Sequence, residues 1–314
     1  MNPQRLGRLF ALSAALLFGT SWVATRFALA SFDPTAAAAW RGLGATVLLG
    51  LLIAAGLAGA GSVGWRSLRQ GQVWRLGTLG ALGGLLFVLG MNQAIERTGA
   101  TIAAFVAGLY PVLAAAGAPL VLGERLRPSA VLGLAVAFVG VVLLAGLDVT
   151  ATRVDGLAMG LGAAVSFALY LLLARRWAGP WALPTQFVTW SVFAVLGVGA
   201  SLLELAVAPS GFVPHHLVPS AVLGVIWIAA ISGTSAQLLL IAGVRRLPAQ
   251  ESSAYLLLNP LTAAVLAALL LGERLDATQL VGAACVLVGI ALATLVGARR
   301  TRGAAAVEAR EPAS

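Results

Sequence analysis

The chain has 314 residues, of which 60% are hydrophobic and 10% charged, with a mean hydropathy of +0.96. A soluble domain carries about a quarter of its residues as charges, so this composition excludes a soluble protein and requires an integral membrane one. The formal charge of +9 comes from 20 Arg and no Lys. These Arg sit between apolar runs and not on one folded face, which excludes nucleic acid as a partner.

In chain order, apolar runs near the ~20 residues needed to cross a bilayer are predicted at about 8–30, 34–58, 73–96, 99–121, 128–146, 156–176, 184–207, 217–243, 249–271 and 277–297. The first resembles a secretory signal, with Arg5 and Arg8 ahead of an apolar run that ends at Ala28-Leu29-Ala30. Arg26 interrupts it, and the stretch has a counterpart farther along the chain, so it reads as a span. The longest inner loop, Gly59 to Gln72, carries Trp65 beside Arg66 and is expected to anchor at the membrane surface. The only cysteine, Cys285, rules out an internal disulfide and reads as a small apolar residue inside the last span. The tail from Arg299 to Ser314 has no apolar period and is expected to be disordered.

The segment Leu109 to Ala145 recurs without a gap as Leu258 to Thr294, with 16 of 37 positions identical. The copies share Pro111 and Pro260, a Leu-Gly-Glu-Arg-Leu run at 122–126 and 271–275, and the pairs Gly133/Gly140 and Gly282/Gly289. The same offset aligns Ala14, Ala15, Phe18 and Arg26 with Ala163, Ala164, Phe167 and Arg175. One inserted residue later, Trp40 matches Trp190. A repeat of this length exceeds solenoid periods and marks two half-domains, as in duplicated transporters. The expectation is an all-α membrane protein of ten transmembrane helices arranged as two inverted five-helix repeats, 1–150 and 151–298, followed by the tail at 299–314. An odd number of spans per copy places the second copy upside down.

Positive charge collects on the cytoplasmic side. With the N-terminus inside, 15 Arg fall in cytoplasmic segments and only Arg26, Arg97, Arg153 and Arg274 on the other face. Both termini are therefore expected in the cytoplasm, in a bacterial inner membrane.

Two five-span halves, each with a Pro-containing span, a Leu-Gly-Glu-Arg-Leu turn and a Gly-x6-Gly span, resemble the drug/metabolite transporter superfamily, specifically its ten-span EamA-type members. Arg41 and the Ala94-x-x-x-Thr98-Gly99-Ala100 turn are further points of likeness, although Ser191 stands near the place of Arg41 in the second half. The resemblance implies a secondary transporter of small metabolites, often an exporter, with aromatic amino acid exporters the nearest guess.

Pro111 and Pro260 fall mid-span, where proline frees a backbone carbonyl and bends the helix. Such a carbonyl must face protein or water, so both positions are expected to border an internal cavity as hinges. Tyr110 and Asn259 precede them at equivalent depth and are candidate substrate contacts; structural packing and helix-to-helix bonding are the competing readings. Tyr255, Asn259 and Thr262 form a polar stripe on one helical face. Ser166 and Tyr170 form another, matching Leu17 and Ser21, with Thr20 and Trp22 alongside. Trp227, deep in its span, is a candidate wall for a planar solute. Asn92 and Gln237 complete the candidate contacts. Arg41, the only intramembrane Arg, is either a gate or carboxylate contact, or a residue that snorkels to the outer interface or pairs with Asp33 or another helix. The Glu124-Arg125 and Glu273-Arg274 pairs at span ends suit ion pairing or capping of a neighbouring helix, and could break in one conformational state.

No Asp or Glu occupies the middle of a predicted span. Proton-coupled export of cations needs such a carboxylate, so a facilitator for neutral or zwitterionic solutes is expected. Multidrug or other metabolite transport, by proton-coupled efflux or uptake, is the alternative, and a non-transporting membrane sensor is the rival from another class. His215 and His216 lie in a predicted outer loop, and no metal cluster or nucleophile set can be assembled, so neither enzymatic activity nor a cofactor or metal is expected. A small-molecule substrate and the lipid bilayer are the expected partners, and a monomer is the simplest assembly.

Overall fold

In the computed structural model, residues 3–57, 70–125, 128–145, 151–178, 184–214, 216–244, 246–247, 255 and 257–293 are described. The surface loop with Trp65 and Arg66, His215 and the tail at 299–314 lie outside them. The described residues form ten apolar helical rods. The first five are α1 (Pro3–Ala28), α2 (Pro34–Ala54), α3 (Gly71–Thr98), α4 (Ala100–Leu122) and α5 (Pro128–Ala145). The second five are α6 (Ala151–Ala178), α7 (Thr185–Val207), α8 (Pro219–Gly243), α9 (Leu258–Leu270) and α10 (Ala277–Ala291). Seven of these are long and apolar enough to cross a membrane. The described parts of α5, α9 and α10 are shorter. The 13 residues of α9 rise about 20 Å at ~1.5 Å per residue, less than a hydrocarbon core. The predicted ninth span began at 249, and residues 248–254 are among those not described.

The distribution of side chains is that of a lipid-facing bundle. Alanines such as Ala14, Ala36, Ala103 and Ala263 are buried, whereas Leu120 is 89% and Leu269 74% exposed. Small residues inside let backbones approach closely, and van der Waals packing then replaces the hydrophobic effect. One close approach joins α5 to α10. A Cβ added to Gly133 would lie 2.6 Å from the carbonyl oxygen of Gly289, and one added to Gly140 2.6 Å from that of Gly282. Position rises along α5 as it falls along α10, so the two run antiparallel. On α2 and α7, Gly42 abuts Gly197 while the Trp190 indole donates 3.0 Å to the carbonyl of Thr46, which is antiparallel again.

The two halves exchange their packing in a matched way. α1 packs on α8 and α9, and α6 packs on their counterparts α3 and α4. α2 with α7, and α5 with α10, pair each helix with its own repeat equivalent.

Three departures from regular helix matter for the site. α4 is interrupted at Gly108-Leu109, between Ala100–Ala107 and Tyr110–Leu122. Pro111 has no N–H, so the carbonyl of Ala107 loses its i+4 donor. α3 and α8 contain π-helical stretches at Ala81–Leu86 and Trp227–Ser235, which overlap at the repeat offset. Such insertions concentrate at functional sites.

Candidate functional site

A cavity of about 200 Å³ lies where the two proline-bearing helices meet α1 and α3. Tyr110, Pro111, Asn259 and Pro260 contribute from the repeat-related positions, with Trp22 and Phe87 among the other walls. The proline expectation thus coincides with the geometry, since both sequence pairs reach one cavity. At ~30 Å³ per water the space holds one small solute.

Asn259 is fixed from across the cavity. The indole N–H of Trp22, 4% exposed on α1, donates 2.9 Å to Asn259 Oδ1. This bond joins the first half to the second and aims the Asn259 amide N–H groups away from Trp22. Tyr110 is held by rings: it meets Phe167 edge-on with centroids 4.8 Å apart, and Phe167 also contacts Phe87 at 4.5 Å and Tyr170 at 5.1 Å. Phe167 is therefore the hub of a four-ring wall whose Phe87 and Tyr110 members face the cavity. Tyr170 belongs to this wall from behind, packed so closely on Gly83 that a Cβ there would lie 2.5 Å from its ring.

The remaining candidates lie elsewhere. The Ser166 hydroxyl donates 2.8 Å to the carbonyl of Leu82, a group inside the π-helical stretch of α3. Asn92, 1% exposed, donates through Nδ2 to the carbonyl of Pro34 at 2.8 Å and so ties α3 to the start of α2. Trp227 is 41% exposed and donates 2.7 Å to Thr20 Oγ1 in an outward apolar groove shared with Phe27 and Leu266. Gln237 and Tyr255 are half-buried on α8 and ahead of α9, outside the lining of the cavity. Arg41 neither snorkels nor pairs with Asp33. It is 8% exposed, and its Nη1 donates 3.1 Å to Ser21 Oγ, one residue along α1 from Trp22. Its Nε has no partner. Among the described residues no carboxylate forms an ion pair with it.

The repeated Leu-Gly-Glu-Arg motif has two different environments. Gly123 and Gly272 adopt φ of 71° and 68°, the left-handed turn that ends α4 and α9, where any side chain would be strained. Glu273 then caps α4: its two carboxylate oxygens accept from the backbone N–H groups of Ala100 at 2.8 Å and Thr101 at 2.9 Å. Glu124, its repeat equivalent, instead pairs with Arg175 at 2.7 Å in a separate cavity of about 240 Å³. Leu171 of α6 lines both that cavity and the one between the prolines. The proline cavity thus adjoins the Glu124 cavity through Leu171, whereas Glu273 is committed to the start of α4.

Sequence reasoning missed Phe87 and the role of Phe167. Both are ordinary apolar residues in apolar spans, and only the crossing of α3, α4 and α6 brings their rings together. The signal available was the pairing of Phe18 with Phe167 across the repeat, which marked the position without marking its use.

The sequence profile of the EamA-like transporter family matches residues 5–146 and again residues 155–295. The chain is 27% identical over 294 residues to the uncharacterized transporter YyaM of Bacillus subtilis, covering 90% of this chain and 92% of that protein. It is 26% identical over 275 residues to Protein PecM of Dickeya dadantii, covering 87% of each. A solved structure described as "Crystal structure of protein" shares the fold, with a TM-score of 0.61 at 24% identity over 93% of this chain and 98% of that one. With its duplicated unit matched twice and its rods those of a multi-pass membrane protein, the chain belongs to the EamA-like transporter family of the drug/metabolite transporter superfamily.

Proposed function

We propose that the protein is a ten-span secondary transporter of the bacterial inner membrane, built from two inverted repeats (1–150 and 151–298) with both termini cytoplasmic. It exports small neutral or zwitterionic metabolites, amino acids including aromatic ones foremost, as a facilitator. The observation that carries this reading is the lining of the cavity between the two prolines. Among the described residues its walls are aromatic and aliphatic, Tyr110 and Asn259 bring polar groups, and no carboxylate or histidine lines it. A neutral amide and a phenol can orient a zwitterion or a planar ring, but they offer no group that trades a proton for a cation.

The antiparallel pairing of α2 with α7 and of α5 with α10 supports inversion of the second half. Alternating access then follows from rocking of the halves, with Pro111 and Pro260 as bending points. The cavity shares Leu171 with the cavity beside Glu124, and on the other side Glu273 caps the start of α4. Arg41, buried beside Ser21 without a carboxylate partner, serves this cycle as a gate residue that changes partners between states.

Titration of the purified protein with phenylalanine, leucine and glutamate by isothermal calorimetry tests the assignment. Saturable binding of phenylalanine, weakened when Asn259 is replaced by Leu, is the expected result. Affinity unchanged by that replacement would show Asn259 to be structural and move the site away from this cavity.

A further inference from the structure

Only four Arg fall on the Arg-poor face in the sequence topology, and all four line one cavity. Arg26 from the end of α1, Arg97 from the end of α3, Arg153 from the start of α6 and Arg274 from the turn after α9 surround a space of about 550 Å³ together with Thr98 and Gln279. They come from four separate rods, so local sequence does not explain their meeting.

We propose that this cavity is an oxyanion-binding site for a phosphate or carboxylate group, distinct from the cavity between the prolines. Charge supplies the first argument. The lining sets four guanidinium groups against one carboxylate, Glu273, whose oxygens are already committed to the backbone of α4. The other acids nearby are not among its described lining: Glu96 approaches Arg97 at 3.7 Å, Asp276 accepts from the backbone of Gln279 at 2.7 Å, and Asp155, two residues from Arg153, is exposed. A cleft lined by one sign of charge concentrates the opposite ion.

Availability supplies the second argument. Arg97 is held by Gln93, and Arg153 reaches the carbonyl of Leu144 at 3.4 Å. Arg26 and Arg274 are exposed and, among the described residues, make no hydrogen bond or ion pair. Two free planar forks suit bidentate binding of a phosphate or carboxylate. The positive-inside tendency supplies the third. Arg is disfavoured on this face, and convergence of all four on one cavity is the arrangement a bound anion compensates. The oxyanion can come from an anionic lipid headgroup or from a soluble solute, and the site does not depend on which substrate crosses the membrane.

Purified full-length protein in a neutral detergent distinguishes the sources. Inorganic phosphate is titrated by calorimetry, and phosphatidylglycerol against phosphatidylcholine is compared by native mass spectrometry. The same measurements follow on Arg26→Gln/Arg274→Gln, whose side chains are exposed, with an unchanged melting temperature as the folding control. Saturable binding of either probe by the wild type, weakened by added salt and at least tenfold weaker in the double variant, is expected. The probe that binds then names the source. Binding of neither probe, or equal binding by wild type and variant, overturns the proposal. Should the variant fail to fold, wild-type binding indifferent to salt between 50 mM and 500 mM would overturn it as well, because charge-driven binding at an open cavity is screened over that range.

Discussion

Glu273→Gln tests the asymmetry between the two Leu-Gly-Glu-Arg turns. The carboxylate accepts from Ala100 N–H at 2.8 Å and Thr101 N–H at 2.9 Å, closing the start of α4. Glutamine keeps one acceptor oxygen and loses the other bond and the negative charge at a helix N-terminus. A hydrogen bond to a charged group contributes about 1.5–3 kcal/mol, so a loss of about 2 kcal/mol is expected for this part-buried pair. At ~1.4 kcal/mol per tenfold, the capped start of α4 becomes roughly 30-fold less favoured. Thr101, 3% exposed, is the reporter position. With Cys285 replaced by Ala and Thr101 by Cys, a membrane-impermeant maleimide should label the Glu273→Gln protein roughly 30-fold faster than the Glu273 parent, in line with that shift. Equal labelling rates in two samples of equal melting temperature would refute the role given to this cap.

Gly140→Val should lower the yield and melting temperature of folded protein, because its Cβ would lie 2.6 Å from Gly282 O and 2.7 Å from Val286 N. Overpacking of this kind costs about 1–3 kcal/mol, and an unchanged melting curve would contradict the close packing of α5 on α10. Asn259→Leu leaves the Trp22 indole N–H without its acceptor. A loss of about 1–2 kcal/mol in stability is expected from denaturation of the solubilised protein, together with the weaker phenylalanine binding described above. Pro260→Ala adds a backbone N–H in the first turn of α9 and should slow transport more than it lowers folded yield. Equal loss of both in flux and fluorescence size-exclusion assays would sink its role as a bending point. Ser166→Ala removes the donor to Leu82 inside the π-helical stretch, and about 1 kcal/mol of destabilisation is expected by the same denaturation assay.

The duplication was legible because proline, glycine and the Leu-Gly-Glu-Arg run each meet a backbone requirement that few residues satisfy. Gly123 and Gly272 take the left-handed turn, and Gly133 and Gly140 face Gly289 and Gly282 at backbone contact. Tyr110, Asn259 and the prolines were found together for the same reason, since a helix break in an apolar span has few places to go. The polar stripes were less informative. Ser166, Asn92 and Ser21 are each taken up by a partner from another helix, at Leu82, Pro34 and Arg41. Polarity in a span marks an unmet hydrogen bond, and sequence does not show whether a solute or a neighbour meets it. Trp227 went the same way: its depth was readable, but its outward direction depends on how α8 turns against α1 through the π-helical stretch.

Reconstituted flux of labelled phenylalanine in liposomes, with and without an imposed pH gradient, tests the central claim most directly. Among the described residues the cavity lining holds neither carboxylate nor histidine, so the proposed facilitator is expected to move its solute without taking up or releasing a proton. Saturable downhill flux, indifferent to the gradient and reduced in Asn259→Leu, is the result predicted. Flux that a proton gradient drives uphill, or no flux from a folded sample for any neutral amino acid, would contradict the account.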